Sequence, residues 1–141
     1  MKLKTGSIVG IVGGLMIVLG VILPWLSDPT TSISGLSAVV SSLGMVMLIF
    51  GLLGLIMVAP GRRGLAIGSI VFGILSLLLY LGLLGISGLI SSGLSGTVSV
   101  GIGLYVGFIG SIVLIVGAVM VMSSAKKTAV PVAPPAPPMA P

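Results

Sequence analysis

The sequence has no cysteine and no histidine, and Asp28 is the only acidic side chain among its 141 residues. Without cysteine there can be no disulfide, thiolate zinc site, iron–sulfur cluster or thiol-linked lipid anchor. Without histidine there is no bis-imidazole haem, and the commonest metal ligand is missing. One carboxylate and no imidazole cannot form a general acid/base pair or a catalytic triad. The expectation is a protein that is not an enzyme and carries no cofactor. Charge of either sign is scarce: charged residues make up 5% of the chain, against about 25% in soluble domains. So few charges cannot keep a folded surface in water, and most of the surface should face lipid.

What is there is apolar. Hydrophobic residues reach 57% and the mean hydropathy is +1.44. Four apolar runs stand out, at residues 6–26, 38–59, 65–85 and 101–122. A helix of the first run's length reaches about 31 Å, enough to cross the hydrocarbon core. Met1-Lys2-Leu3-Lys4 is similar to the start of a signal peptide, but the apolar run is too long and no small-x-small site follows it, so an uncleaved first span is expected. Asp28-Pro29 should stop that span. Pro60-Gly61-Arg62-Arg63-Gly64 reads as a tight turn between the second and third spans. Residues 86–100 read as an outer loop, with a shallow re-entrant segment as the alternative. The predicted fold is all-α: an up-down four-helix membrane bundle over residues 1–122. A proline-rich tail over 123–141 should be polyproline II or disordered.

The six cations fall in three pairs, Lys2/Lys4, Arg62/Arg63 and Lys126/Lys127, each flanking an apolar run. In a four-span topology all three pairs lie on one side, which the positive-inside rule places in the cytoplasm with both termini. That spacing speaks for topology and for contact with anionic lipid headgroups rather than for nucleic acid. Trp25, Tyr80 and Tyr105 fall toward the opposite ends of their spans and predict an outer aromatic belt.

Glycine is the strongest remaining signal, with 23 residues. Gly6, Gly10 and Gly14 are spaced by four in the first span, and Gly103, Gly107 and Ser111 in the fourth. Gly64, Gly68, Ser69 and Gly73 mark the third, and Gly44 and Gly51 the second. Such rows let helix backbones approach closely in lipid. They predict packing within the bundle, or against a neighbouring protein through a row on the first or fourth span. Gly-Ser-Ile-Val recurs at 6–9, 68–71 and 110–113, and Ile-Ser-Gly-Leu at 33–36 and 86–89. These recurrences suggest two parallel hairpins or plain compositional repetition. Met45/Met47 and Met120/Met122 lie on opposite faces of their helices and read as packing rather than copper ligation. In the tail, Pro131, Pro134, Pro135, Pro137, Pro138 and Pro141 form Pro-x-x-Pro patterns, which can dock a cytoplasmic partner or remain solvated.

The segment Gly61-Arg62-Arg63-Gly64-Leu65-Ala66-Ile67-Gly68-Ser69-Ile70-Val71-Phe72-Gly73 resembles small prokaryotic membrane proteins with a basic turn, a glycine-rich span and a proline-rich tail. That resemblance implies a multi-pass protein of a prokaryotic cytoplasmic membrane and carries no activity. The four-span outline is also similar to that of tetraspanins and claudins, but their cysteine-bearing outer domains have no counterpart here. The expected role is structural: an accessory subunit or self-associating scaffold, meeting lipid and another membrane protein or itself. The alternative is an oligomeric channel or small-solute transporter lined by Ser41, Ser42, Ser69, Ser76 and Ser111.

Overall fold

A computed structural model describes residues 5–27, 30, 32–34, 37, 41–93, 99–127 and 133–140. The chain is mostly helical, with four helices: α1 (Thr5–Ile22), α2 (Ser41–Val58), α3 (Arg63–Gly93) and α4 (Ile102–Lys127). Three strands sit in the connections: β1 (Pro24–Ser27), β2 (Ser32–Ser34) and β3 (Ser99–Val100). Apolar stretches in α1, α3 and α4 are long enough to cross a membrane, and that of α2, Ser42–Val58, is shorter.

Pro24 explains why α1 ends at Ile22 rather than continuing to residue 26 as expected. The last helical bond at this end is Leu23 N donating to the Leu19 carbonyl at 2.9 Å. The next would need an N–H at position 24, and proline has none; its ring also crowds the carbonyl four residues back. The Gly20 carbonyl instead accepts from the Trp25 indole Nε1–H at 2.8 Å. Asp28 and Pro29, expected to stop the helix, lie outside the described residues, as do Lys2 and Lys4.

At the other end of α2, Pro60 ends helical pairing and Gly61 adopts φ 63°, a left-handed conformation that glycine takes without steric cost. Its N–H donates to the Val58 carbonyl at 3.1 Å, and the chain turns straight into α3. With 31 residues, α3 far outruns the 18-residue α1 and α2. Residues 86–93, expected as loop, extend it. No proline lies between Pro60 and Pro131 to end it. Two serines of this stretch bond back onto the helix, Ser87 Oγ to the Leu84 carbonyl at 3.1 Å and Ser92 Oγ to that of Leu89 at 2.9 Å.

The helices pack antiparallel in sequence. Gly10 and Gly14 of α1 lie against Val58 and Leu55 of α2, and Gly68 of α3 against Met57 of α2. Gly73 of α3 lies against Ile115 of α4, and Gly6 of α1 against Val121 of α4. Adjacent helices thus form a ring in the order α1, α2, α3, α4. Phe50 and Phe72 meet across α2 and α3 with centroids 5.4 Å apart. The core contains Ile17, Met47, Val58, Tyr80, Leu104, Leu114 and Val121.

A small sheet corrects the all-α expectation. Its strand order is β2-β1-β3, and both pairings are antiparallel. Leu26 pairs with Ile33 on one side and Val100 on the other. The sheet therefore pins the α1–α2 connection to the α3–α4 connection. Gly101 N donates to the Trp25 carbonyl at 2.6 Å where β3 runs into α4. The recurring Ile-Ser segments also part company: Ile33-Ser34 is strand, whereas residues 86–89 are helix. Residues 133–140 of the tail are exposed and carry neither helix nor strand.

Candidate functional site

Among the described helices, the backbones of α1 and α4 come closest together, and their contact is built from glycine. A Cβ added at Gly13 would lie 2.7 Å from Leu114 Cα, and one at Gly20 2.7 Å from Gly107 Cα. From the other side, a Cβ at Gly110 would lie 2.8 Å from Ile17 N. These are backbone contacts that no side chain could share. Gly6, Gly13 and Gly20 are seven residues apart, and so are Gly103, Gly110 and Gly117. A seven-residue row keeps to one face of a helix that crosses its neighbour at a shallow angle.

The four-residue rows do not each face one neighbour. Gly6 faces α4, whereas Gly10 and Gly14 receive Val58 and Leu55 of α2. Gly103 closes on the Leu23 and Gly20 carbonyls, and Gly107 on the Tyr80 ring as well as on Gly20. Ser111 Oγ donates to the Gly107 carbonyl of its own helix at 3.0 Å. Gly68 receives the Met57 sulfur and Gly73 the Ile115 side chain. Small-residue rows on α1 and α4 therefore face inward. The reading by fours missed Gly13, Gly20, Gly110 and Gly117; their signal was the spacing of seven. By contrast, Gly82 and Gly85 on the long end of α3 have open space where a Cβ would stand.

Two of the three aromatic assignments need correcting. Trp25 is 3% and Tyr80 0% exposed, so neither forms an outer belt; Tyr105, at 51%, remains at the surface. Trp25 is drawn inward by its bond to Gly20. Tyr80 fits because Gly107 offers no side chain beneath its ring. The two rings meet edge to face at 6.3 Å, and the Tyr80 hydroxyl makes a long 3.4 Å bond to the Ile17 carbonyl.

Of the serines considered as pore liners, Ser69 donates to the Gly54 carbonyl of α2 at 3.1 Å, and Ser111 bonds as above. Both are fully buried, as is Ser76, and Ser42 is exposed. The hydroxyls of Ser7 and Ser76 have no hydrogen-bond partner among the described residues.

Two clefts lie at the ends of the bundle. One, of about 160 Å³, sits beside the sheet between Trp25, Leu26, Ile33, Leu83, Ile86 and Leu104. The other, of about 330 Å³, opens between α3 and α4 at Arg63, Ile70, Val119, Met122 and Ser123. Arg62 and Arg63 are exposed at the α2–α3 turn, and α4 reaches Lys126 and Lys127 at that same end. Among the described residues no cluster of carboxylates, thiols or imidazoles could hold a metal. No family model matches the chain, and no curated protein or solved structure is similar enough to it to count as a match.

Proposed function

We propose that the chain is a membrane-spanning four-helix bundle acting without catalysis, as an accessory subunit or scaffold in a larger membrane assembly. One observation carries the reading: the bundle is apolar over its outer faces as well as in its core, and α1 and α4 meet closely through glycine. Ile8, Val12, Leu15 and Leu19 of α1, Val71, Leu78 and Leu81 of α3, and Ile109, Val116 and Val119 of α4 are all exposed, while glycines bring the helix backbones of α1 and α4 together and receive side chains of α2 and α4 elsewhere. Apolar patches of that extent do not persist on soluble monomers. Close glycine packing is how helices associate where lipid removes the hydrophobic drive between them. The short α2 packs along the length of α1 and completes the fourth span. All three cation pairs then belong to the cytoplasmic side.

With the small-residue faces engaged inside the bundle, association with another protein falls to the aliphatic outer faces. Native mass spectrometry of the tagged chain, gently solubilised from its own membrane, tests the role. The expected result is a larger membrane protein bound at fixed stoichiometry. A homo-oligomer with nothing else bound would sink the accessory reading and move attention to flux measurements.

A further inference from the structure

At the basic end, α3 and α4 part around the notch of about 330 Å³ walled by Arg63, Ile70, Val119, Met122 and Ser123. Arg63 opens α3 and is exposed at the rim. Ile70 lies seven residues further along the same helix, about 10 Å deeper. Val119, Met122 and Ser123 are three and four residues apart, and so share one face of α4. The notch therefore has a guanidinium at its mouth and hydrocarbon on its floor. The Ser123 hydroxyl donates to the Val119 carbonyl at 2.7 Å, which leaves Arg63 as the polar group to recognise a ligand.

Charge and size narrow the occupant. The chain carries +5, and its one acid, Asp28, falls in sequence between β1 and β2 and lies outside the described residues. Among the described residues no carboxylate side chain is present at the basic end to pair with Arg63. Its complement must come from outside, and a planar guanidinium matches phosphate by bidentate bonding. A cavity of about 150 Å³ already takes a benzene ring, so the notch has room for part of an acyl chain.

We propose that this notch binds one anionic phospholipid of the cytoplasmic leaflet, its phosphate on Arg63 and an acyl chain along Ile70, Val119 and Met122. The inference rests on the membrane-spanning reading above.

The test is lipid retention by native mass spectrometry of the full chain in detergent, offered equal amounts of dioleoyl phosphatidylglycerol and dioleoyl phosphatidylcholine. One phosphatidylglycerol should be retained in preference, about fivefold or more, the effect expected of one juxtamembrane cation. Arg63→Gln should abolish the preference, Arg63→Lys should keep most of it, and Arg62→Gln, off the notch, should leave it nearly intact. Val119→Trp keeps every charge but fills the floor, and should lose the bound lipid. Circular dichroism melts confirm that each variant is folded. Equal retention of the two lipids overturns the proposal. So do equal losses in Arg62→Gln and Arg63→Gln, which would mean diffuse attraction, or an unaffected Val119→Trp. Displacement of the lipid by millimolar inorganic phosphate would mark a free-anion site and overturn it as well. Carbonate washing of membranes separates the two readings. A chain released by carbonate defeats the membrane reading itself, whereas a retained chain without lipid preference defeats only the notch.

Discussion

Gly20 shows how one residue position sets the end of a helix. Its carbonyl loses the usual donor because position 24 is proline, and the Trp25 indole takes over at 2.8 Å. Trp25→Phe keeps an aromatic ring, though a smaller one, and removes the donor, leaving a buried acceptor unsatisfied at a cost of about 1–3 kcal/mol. The loss is measurable by unfolding in mixed detergent micelles. Pro24→Ala restores a backbone N–H at the right place, so in that background the Trp25→Phe penalty should shrink. Equal penalties in both backgrounds would show that the indole bond is not what the Gly20 carbonyl depends on. Gly107 is the second such position, held between Gly20 on one side and the Tyr80 ring on the other. Gly107→Ala should destabilise the bundle by about 1–3 kcal/mol through overpacking. Pro24 was readable in the sequence at four residues after Gly20. The burial of Tyr80 was not, because it depends on which residue of another helix lies opposite.

At the scale of elements, spacing separates two kinds of glycine. The heptad rows of α1 and α4 meet backbone to backbone, whereas Gly82 and Gly85 on α3 meet nothing. Gly13→Val should therefore prevent stable folding or lower the detergent melting temperature sharply. Gly85→Ala should be neutral, or stabilising by up to about 0.5–1 kcal/mol from helix propensity. If the two changes had equal effects, the seam would not be where α1 and α4 meet. The sheet offers a second test. Leu26 and Val100 are opposite one another in an antiparallel pair, where Cα atoms stand about 4.5–5.5 Å apart, within disulfide reach. In the Leu26→Cys/Val100→Cys double variant, oxidation should join them. Trypsin cutting at exposed Arg62 and Arg63 would then leave two fragments that separate only on reduction. The helices were legible because each is one long apolar run. α3 was placed eight residues short because its Gly-Ser-rich end looks like a loop, although no proline interrupts it. The sheet was invisible: Pro-Trp-Leu-Ser, Ser-Ile-Ser and Ser-Val are too short for an alternating pattern, and their pairing joins residues 26 and 100.

For the whole molecule, the two ends differ in kind, and the difference is what should fix its orientation. The sheet end is tied together by strand pairing and holds uncharged serines such as Ser27, Ser32 and Ser99. The other end holds the α2–α3 turn with Arg62 and Arg63 and the close of α4 with Lys126 and Lys127. Cations are retained on the cytoplasmic side during insertion, and the bias is counted over the whole chain rather than one loop. Because the sequence has no cysteine, single cysteines report their side without background. Ser32→Cys is exposed on β2, and Gly64→Cys stands in open space at the turn while leaving both arginines in place. A membrane-impermeant maleimide should label Ser32→Cys in intact cells, and Gly64→Cys only after the membrane is broken. Ala136→Cys in the exposed tail should behave as Gly64→Cys does. The reverse pattern would invert the orientation and move the notch at Arg63 to the outer leaflet. Labelling of both ends in intact cells would mean that the chain inserts both ways, and that three cation pairs on one side are too weak to decide.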